Sequence, residues 1–535
     1  MGISKIIKDP IYGYISIDDD CYAKVLDSVY FQRLKNIIQT SYISIYPSSL
    51  HNRFTHSLGV FWLGKIAFDA LIKNSTEISS RLDKVDIDAT MKTFVLACMC
   101  HDLGHSPFSH TGEVFYDKVT LSQKLDEIVD DPIYTADRAG KTIGNEHEIM
   151  SAYLAINKFG AEIGRQNYSL FARCIIGLQY NKSDANEDIV ELYRACIEML
   201  NSSIIDVDKL DYLIRDSYMS GYASVSIDYV RLLNAIFINT SGEYPIGYYK
   251  SALSVLETVL TAHDMERRWI QSHPAIQYES YLLKTIIREI VGQYEGHLSD
   301  GQTCSLLSYA TLTEEGANFK EIGVVRLLSD ADVIFLSKIN YENSAAVQEY
   351  WDRAKRRHPL WKSEAEFHAL FNFEINSKVL EILKNWETQL LTGDGGGEYT
   401  INERFLAFKA KTLEDLKATN PEKLTFVKKL KTLETEVKLL SKIKGYCVSH
   451  NVPFDFVIIS QDKFKRNIYK PKFKELPILF QSIDNEPRKL DKVSALPMNL
   501  EKDDTDPFFY LYYDRSAEVL NAKEFVTMLM IEFRE

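Results

Sequence analysis

Histidine and aspartate are concentrated in the first 150 residues and near residue 208, where their spacing could bind a metal ion. Half of the 12 histidines precede residue 150: His51, His56, His101, His105, His110 and His147. An apolar helical run ends at the adjacent pair His101-Asp102, and a glycine and a proline then interrupt the helical pattern. An imidazole and a carboxylate side by side can offer one divalent ion a nitrogen and an oxygen ligand. Further ligands must come from elsewhere, and His56 and Asp208 are the candidates.

Helices must position these residues, and the sequence pattern is mainly helical. Apolar residues recur at spacings of three and four in residues 57–72, 89–100 and 147–159, as they do along the buried face of an α-helix. Alternation in residues 5–16 predicts a short hairpin, and the β-branched and aromatic residues 454–460 predict a strand. The predicted fold class is therefore mostly α: a helical bundle with a small N-terminal hairpin and a C-terminal α+β appendage.

The length of 535 residues allows about two to four folding units. We expect residues 1–300 to form the core, with the polar residues 121–145 as an insertion between two core helices. Residues 301–395 should be a helical extension. The glycine-rich segment 391–400 is the clearest flexible break in the sequence, and residues 396–535 should form an α+β region for regulation or oligomerisation.

The composition argues against several classes of protein. The net charge of −13 disfavours a surface that binds duplex nucleic acid non-specifically. The sequence lacks both the long apolar run of a membrane helix and the apolar core of a signal peptide. We therefore expect a cytoplasmic protein without a membrane partner. The seven cysteines have no paired spacing and are expected to be buried free thiols.

Three longer motifs contain the candidate ligands: HNRFTHSLGV, CHDLGHSPFSHTGE and DVDKLDYLIRD. They resemble the HD superfamily of metal-dependent phosphohydrolases, and within it the dNTP triphosphohydrolases, both bacterial dGTPases and the animal enzyme with a sterile alpha motif. IIKDPIYGYI, LDSVYFQRLK and PFDFVIISQDKFKR resemble the family's N-terminal hairpin, first core helix and C-terminal strand region. The resemblance is loose over residues 121–145 and 300–450. It implies an HD-domain bundle that hydrolyses a deoxynucleoside triphosphate to a deoxynucleoside and inorganic triphosphate.

The resemblance implies a divalent metal ion as cofactor. Its ligands would be His56, His101, Asp102 and Asp208. Two imidazoles and two carboxylates suit Mn²⁺, Mg²⁺ or Fe²⁺.

The resemblance also implies a set of catalytic residues around the attacked phosphate: His105, His110, His147, Glu113 and Glu148. His105 would be the leading catalytic residue, oriented by Glu113 or Glu148. Its imidazole can exchange protons near neutral pH. The other two histidines would contact phosphate or protonate the leaving oxygen. An alternative for His147 is an ordinary residue on a helix surface.

The substrate would be a nucleoside triphosphate, held by residues that match family positions: Gln39, Arg53, Lys209, Tyr212, Asp216, Arg268, His273 and Tyr278. Arg53 would grip phosphate with its planar fork, and Lys209 would supply a second cation. Gln39 is followed by Thr40-Ser41, where the family commonly has Leu-Gly. Thr40 would place a hydroxyl where the leucine of the family forms an apolar wall beside the sugar. A pocket without that wall should discriminate only weakly against ribonucleotides.

A regulatory nucleotide is the second partner that the resemblance implies. Its site would consist of Lys5, Asp27, Gln32, Lys35 and Arg466, and it would lie between subunits of a homo-oligomer, either a tetramer or a dimer. Lys35 stands where the family has arginine, so bidentate contact is lost. The alternative is that residues 31–35 are simply part of an amphipathic helix.

Two other classes of function remain open from the sequence. Basic residues alternate with aromatic ones between residues 463 and 474, a pattern that can bind single-stranded nucleic acid. A nuclease or phosphodiesterase acting on single strands or on ribonucleotides is therefore the main alternative. A binding module with a vestigial metal site is the other, and the intact ligand set disfavours it.

Overall fold

The computed structural model describes most of the chain. The described residues are 5–17, 19–40, 45–181, 187–202, 204–222, 226–240, 244–371, 381–382, 385–386, 401–419, 424–460, 474–483, 486–494, 508–515 and 519–531. They form two compact units. Unit 1 comprises residues 1–267, 283–340 and 467–501, and unit 2 comprises residues 268–282, 341–466 and 502–535. The borders expected near residues 300 and 395 do not coincide with the borders of these units.

Unit 1 is mainly helical. Its helices are α1 (Asp20–Asp27), α2 (Val29–Arg33), α3 (Arg53–Asn74), α4 (Thr76–Ser79), α5 (Lys84–Cys100), α6 (His110–Glu113), α7 (Lys118–Val129), α8 (Pro132–Arg138), α9 (Glu146–Ile163), α10 (Tyr168–Ile176), α11 (Glu187–Leu200), α12 (Val207–Ser220), α13 (Tyr229–Leu233), α14 (Leu253–Glu266), the second half of α15 (Pro274–Gln293), α16 (Tyr309–Leu312) and α17 (Asp330–Ile339). Helix α3 packs against α5 and α12. Both α3 and α5 bury residues on several faces, as central helices do.

Small antiparallel elements surround these helices. The strands of unit 1 are β1 (Lys5–Asp9), β2 (Gly13–Ile17), β3 (Ile236–Ile238), β4 (Ile246–Tyr249), β5 (Glu295–His297), β6 (Thr303–Ser305), β7 (Ala317–Phe319), β8 (Gly323–Val325), β11 (Pro477–Leu479) and β12 (Arg488–Lys489). Strands β1 and β2 form the predicted N-terminal hairpin. Two four-stranded sheets have the orders β12-β11-β4-β3 and β6-β5-β7-β8. Only the β11–β4 pair is parallel among the strand pairs of the described residues.

Unit 2 combines helices with a three-stranded sheet of order β10-β13-β9. Its elements are the first half of α15, α18 (Ala345–Trp351), α19 (Glu364–Phe371), α20 (Glu403–Ala418), α21 (Leu424–Ser449), α22 (Ala522–Ile531), β9 (His358–Pro359), β10 (Val457–Ser460) and β13 (Phe509–Tyr513). The fully buried Trp361 donates its indole N–H to the carbonyl of Phe509 at 2.7 Å. Strand β10 lies inside the strand predicted at 454–460.

The mostly α fold class, with its N-terminal hairpin and C-terminal α+β part, is confirmed. Residues 121–145, expected as an insertion, contain most of α7 and all of α8. Helix α7 buries Leu121, Leu125 and Val129 and packs against α9. The seven cysteines are free, and five of them are buried. Within the described ranges, no helix is both long and apolar enough to cross a membrane.

Candidate metal centre and active site

Three helices bring the four predicted metal ligands together in unit 1. His56 lies in the first turn of α3, which the side chain of Asn52 caps. His101 and Asp102 follow directly on the last residue of α5. Asp208 lies in the first turn of α12. The ligands therefore stand at the ends of packed helices, which hold them more rigidly than a loop would.

His56, His101 and Asp102 place one ligand atom each within 4.8 Å of one another, and Asp208 adjoins both imidazoles. We call these four residues the four-ligand group. Nε2 of His56 lies 2.9 Å from Oδ1 of Asp208 and 3.3 Å from Nε2 of His101. Asp102 places Oδ1 3.4 Å from Nε2 of His101 and Oδ2 3.7 Å from Nε2 of His56. Ligand atoms about 2.1 Å from one octahedral ion stand about 3 Å apart. These spacings fit a single divalent cation.

The remaining nitrogen of each imidazole already has a protein partner. Nδ1 of His56 donates to Oδ2 of Asp211 at 2.7 Å, and Nδ1 of His101 donates to the carbonyl of Cys98 at 2.8 Å. In a neutral imidazole, this tautomer leaves Nε2 with a lone pair and no proton. Two such lone pairs 3.3 Å apart repel each other unless positive charge lies between them, supplied either by a proton on Nε2 of His56 or by a metal ion in its place. The donor set therefore fits a metal ion.

Charge at the four-ligand group favours a cation as well. Burial lowers the pKa of His56, but its hydrogen bonds with Asp208 and Asp211 outweigh this and raise it to about 10. Burial alone would raise the pKa of Asp102, but the Arg53 guanidinium and neighbouring imidazoles hold it well below its usual range. The carboxylates are therefore ionised near neutral pH, and the pocket stabilises positive charge.

A set of hydrogen-bonded residues that the sequence did not predict lies behind His56. Asp211 accepts hydrogen bonds from the Tyr12 hydroxyl at 2.7 Å and from Nε and Nη2 of Arg215 at 2.9 and 3.0 Å. Arg215 also donates to Asp9 at 2.9 Å. A carboxylate behind a ligand histidine fixes the tautomer and orientation of the ring. The i, i+4 spacing of Asp211 and Arg215 on α12 was the available sequence signal.

Gly59 allows α3 and α12 to approach closely enough for this contact. A Cβ atom at Gly59 would lie 1.8 Å from Oδ1 of Asp211 and 2.6 Å from Nη2 of Arg215. Any side chain there would push the carboxylate away from His56. Glycine is needed here for space, since the helix continues through it.

A second group of side chains surrounds the buried carboxylate of Glu113. Nδ1 of His110 and Nδ1 of His147 each lie 2.6 Å from one of its oxygens, and Nδ1 of His105 lies 3.3 Å from Oε1. The rings of His105 and His147 stack with centroids 4.1 Å apart. His110 is 70% exposed, while the other two are buried. We call this set of four residues the Glu113 group.

The Glu113 group and the four-ligand group meet at His105 and Asp102. Nε2 of His105 lies 3.1 Å from Oδ1 of Asp102. Burial and the Arg53 guanidinium lower the pKa of His105 to about 4. Burial also lowers the pKa of His147, but Glu113 outweighs it and raises that pKa to about 9. Near neutral pH the group therefore contains a neutral and a protonated imidazole side by side.

Glu148, the other candidate partner of His105, has a local role in the structure. Its Oε2 accepts the backbone N–H of Asn145 at 2.6 Å and closes a capping box at the start of α9. Its Oε1 accepts from Asn201 at 3.1 Å. Glu113 is the carboxylate that the structure places against His105.

The predicted phosphate contacts of unit 1 already have protein partners. Arg53 donates to Asp102 through Nη1 and to Ser109 Oγ through Nε, both at 2.9 Å. Lys209 donates to the carbonyl of Ser202 at 2.6 Å and pairs with Asp206. Both cations therefore lie beside the metal ligands, and substrate would have to share or replace these contacts.

The residues near the predicted sugar site differ in whether their side chains already form hydrogen bonds. Asp216 lies 2.7 Å from Nε2 of His51, and Tyr212 is half-buried on the same helix as Asp208. Gln39 Oε1 and Thr40 Oγ1 are buried and have no hydrogen-bond partner among the residues that the structure describes.

The remaining substrate candidates belong to unit 2. They are Arg268, His273 and Tyr278. The Tyr278 hydroxyl is buried and donates to Glu349, and Arg357 Nη1 lies 3.3 Å from it. Burial lowers the pKa of His273.

Four of the five predicted regulatory residues form one surface cluster on unit 1. Lys5 of β1 pairs with Asp27 at the end of α1. Gln32 donates to the carbonyl of Leu26 at 2.7 Å and accepts from Lys35 at 2.6 Å. Arg466 and most of the basic segment 463–474 lie outside the described residues.

Several known proteins are similar to this chain over part of its length. No family model matches the chain. An uncharacterised protein of Methanocaldococcus jannaschii is 28% identical over 291 residues, which are 54% of this chain and 50% of the relative. A Dictyostelium discoideum protein named deoxynucleoside triphosphate triphosphohydrolase SAMHD1 homolog is 30% identical over 232 residues, 43% and 39% of the two chains. A putative HD domain-containing protein of Acanthamoeba polyphaga mimivirus is 26% identical over 294 residues, 53% and 57%.

The chain spans about half the length of the curated relatives it matches. A solved structure of a hypothetical protein from Aquifex aeolicus covers 98% of this chain and 99% of its own, with a TM-score of 0.55 and 18% identity. That likeness shows a shared fold. The resemblance predicted from the motifs is confirmed: over about half of its length, this chain is related to HD-domain proteins, among them deoxynucleoside triphosphate triphosphohydrolases.

Proposed function

We propose that this protein is a metal-dependent hydrolase that converts a deoxynucleoside triphosphate to a deoxynucleoside and inorganic triphosphate. The observation that carries the proposal is the convergence of His56, His101, Asp102 and Asp208 beside the Glu113 group. The names of several relatives support it. In this reaction water attacks the α-phosphorus, and the bond from that phosphorus to the 5′-oxygen breaks.

The four-ligand group would hold Mn²⁺, Mg²⁺ or Fe²⁺. A metal ion bound there supplies Lewis-acid polarisation of a phosphate oxygen. The residues behind the ligands keep the two imidazoles in the tautomer that leaves Nε2 available. Arg53, beside Asp102, is placed to share its fork with a phosphate oxygen.

The Glu113 group would move the protons. His105 is neutral near pH 7 and can take a proton from the attacking water. His147 is protonated and can donate its proton to the leaving 5′-oxygen. Glu113 stabilises the positive charge on His147, and the exposed His110 would contact phosphate. Lys209, Tyr212 and Asp216 would hold the triphosphate and the sugar.

Product analysis with purified protein tests this proposal. The protein would be supplied in turn with Mn²⁺, Mg²⁺ or Fe²⁺, each canonical dNTP and NTP, and single-stranded DNA and RNA. We expect a deoxynucleoside and inorganic triphosphate, identified by mass, and no product from Asp208→Ala. Stepwise release of single phosphates, or preferential cleavage of single strands, would replace the proposal with the phosphatase or nuclease alternative.

Selectivity for the sugar should be weak. Thr40 places a buried, unpaired hydroxyl beside Gln39 in the segment that contacts Arg53. A ribose 2′-hydroxyl could bond to it, whereas an apolar wall would exclude that group. We expect Thr40→Val to lower kcat/KM for GTP more than for dGTP. Equal effects on both nucleotides would contradict this assignment.

Regulation by a nucleotide in a homo-oligomer is the remaining part of the proposal. The Lys5–Asp27 ion pair and the Gln32–Lys35 hydrogen bond lie on neighbouring elements of unit 1, joined by the hydrogen bond from Gln32 to the carbonyl of Leu26, and this supports the proposed regulatory site. We expect a tetramer, or a dimer, whose assembly responds to GTP or dNTPs. Light scattering with and without nucleotide measures this, and a fully active monomer under both conditions would contradict it.

A further inference from the structure

Asp330 joins two segments that carry candidate active-site residues. It is the first residue of α17, and its carboxylate accepts two backbone N–H groups from distant parts of unit 1. Oδ1 accepts from Phe108 at 2.7 Å, and Oδ2 accepts from Ile38 at 2.8 Å. Phe108 lies between His105 and His110, and Ile38 precedes Gln39. One carboxylate thus ties the segment that carries His105 and His110 to the segment that carries Gln39.

The turn that Asp330 holds is strained. Phe108 and Ser109 have φ angles of 57° and 53°, a conformation that residues with side chains rarely adopt. Such a backbone persists only when its surroundings hold it in place. Strained backbone of this kind occurs often at active sites, where it fixes a side chain in a working position.

Two further contacts tie the same turn to its surroundings. The Ser109 hydroxyl donates to the carbonyl of Ile38 at 2.5 Å. The buried Arg33 donates to the carbonyls of His105 and Leu328 at 2.6 Å and to a third carbonyl, that of Leu103, at 3.2 Å. The turn is therefore fixed against both the segment around residue 38 and the segment before α17.

Asp330 is not needed to cap its own helix. Ser329 and Asp332 close the capping box at the start of α17, with Asp332 accepting the backbone N–H and the hydroxyl of Ser329, both at 2.8 Å. A carboxylate in the first turn of a helix that is already capped, directed instead at two other segments, has a role beyond that helix.

We propose that Asp330 is a positioning residue that sets the placement of His105 and His110 relative to the Ile38–Gln39 segment. The proposal rests on the proposed function, because it assigns those histidines to catalysis. Asparagine would keep the shape of the side chain but turn an N–H group towards one of the two backbone N–H groups. One hydrogen bond would become a repulsive contact, and the strained turn would relax.

The test compares Asp330→Asn with Asp332→Asn, a matched substitution that weakens only the cap of the same helix. Each variant is measured for melting temperature, metal content, kcat and KM on the preferred dNTP. Ring resonances of ¹⁵N-labelled histidines, assigned with single histidine variants, report the placement of the imidazoles directly. If Asp330→Asn does not fold, Asp330→Ser, which can accept one N–H, takes its place.

We expect Asp330→Asn to keep its metal and to lose about 10- to 100-fold in kcat, with a smaller change in KM, since small misplacements of catalytic groups cost rates of this size. The resonances of His105 and His110 should shift in this variant only. Equal losses in both variants, or an unchanged kcat, would overturn the proposal. If the wild-type protein hydrolyses no dNTP, the proposed function fails, and the resonances alone decide whether Asp330 positions the turn.

Discussion

The four-ligand group and the Glu113 group use the same side chains in opposite ways. In the four-ligand group, protein acceptors hold Nδ1 of both imidazoles outside the group, and the Nε2 atoms face each other. In the Glu113 group, three Nδ1 atoms face inward to one carboxylate. The first arrangement leaves lone pairs for a cation, and the second leaves protons on nitrogen. Both groups have ligand atoms spaced closely enough to hold a metal ion, and this difference in ring orientation is why we propose the metal for the four-ligand group and proton transfer for the Glu113 group.

The largest expected effect comes from breaking the four-ligand group. Asp208→Ala should lose its metal and at least about 10³-fold in kcat/KM, since metal stabilisation of charge contributes several kcal/mol. Elemental analysis and steady-state rates measure this. The helical circular dichroism spectrum should be unchanged, because Asp208 is about one-third exposed and outside the apolar core. Retained metal would show that these residues are not its ligands.

A substitution in the Glu113 group should impair proton transfer and leave metal binding unchanged. Glu113→Gln removes the charge that raises the pKa of His147 to about 9, so we expect kcat to fall by about 10²-fold. In the wild-type protein the protonated form of His147 is lost only as the pH rises through about 9. In the variant His147 should lose its proton at a lower pH, so the alkaline limb of the profile of kcat/KM against pH should shift to lower pH. An unshifted limb would reject His147 as the acid.

A smaller effect is expected from a substitution of Asp211, whose carboxylate accepts the hydrogen bond from Nδ1 of His56. Asp211→Asn keeps the shape of the side chain that orients His56 but removes its charge. Loss of such a supporting carboxylate typically lowers metal affinity by about 10- to 100-fold. Titration of the apo-protein with Mn²⁺ measures this. Glu191→Gln, on helix α11, removes a carboxylate that pairs with Arg194 of the same helix. It is the matched control and should bind metal as the wild type does.

The smallest effect on the four-ligand group and the Glu113 group is expected from a substitution among the predicted regulatory residues on the surface of unit 1. Gln32→Ala should leave metal content and basal kcat unchanged, since the side-chain hydrogen bonds of Gln32 within the described part of the chain reach Leu26 and Lys35, which are not candidate active-site residues. Activation by added nucleotide should weaken by several-fold if the cluster binds a regulator. Rates with and without GTP measure it. Loss of basal activity would mean that the cluster supports the active site directly.

The features that could be predicted from the sequence are those that depend on short, local patterns of residues. His101-Asp102 and His56 lie in strings whose local pattern is distinctive, and the N-terminal hairpin follows from simple alternation. These features depend on neighbours in the chain, so single-sequence reasoning can detect them.

Contacts between distant segments could not be predicted in this way. Asp211 and Tyr12 lie inside motifs that the sequence analysis quoted, but their bond joins residues 199 positions apart. Asp330 has no local signal at all, because its partners are backbone N–H groups that any residue but proline provides. Glu148 was one of two candidate orienting residues. Its spacing from Asn145 is that of a capping box, but the three-dimensional arrangement was needed to show that Glu113 is the carboxylate that meets the histidines.

The distance along the chain between His56 and Asp208 has a consequence for stability. An ion held by both would join residues 152 positions apart, and an unfolded chain would have to close a loop of that length to bring them together. Because an unfolded chain cannot present these ligands together, metal that binds only the folded form stabilises it by about 2.7 kcal/mol at 100 times its dissociation constant. Metal supply would then govern how long the protein survives in its folded form as well as how fast it turns over.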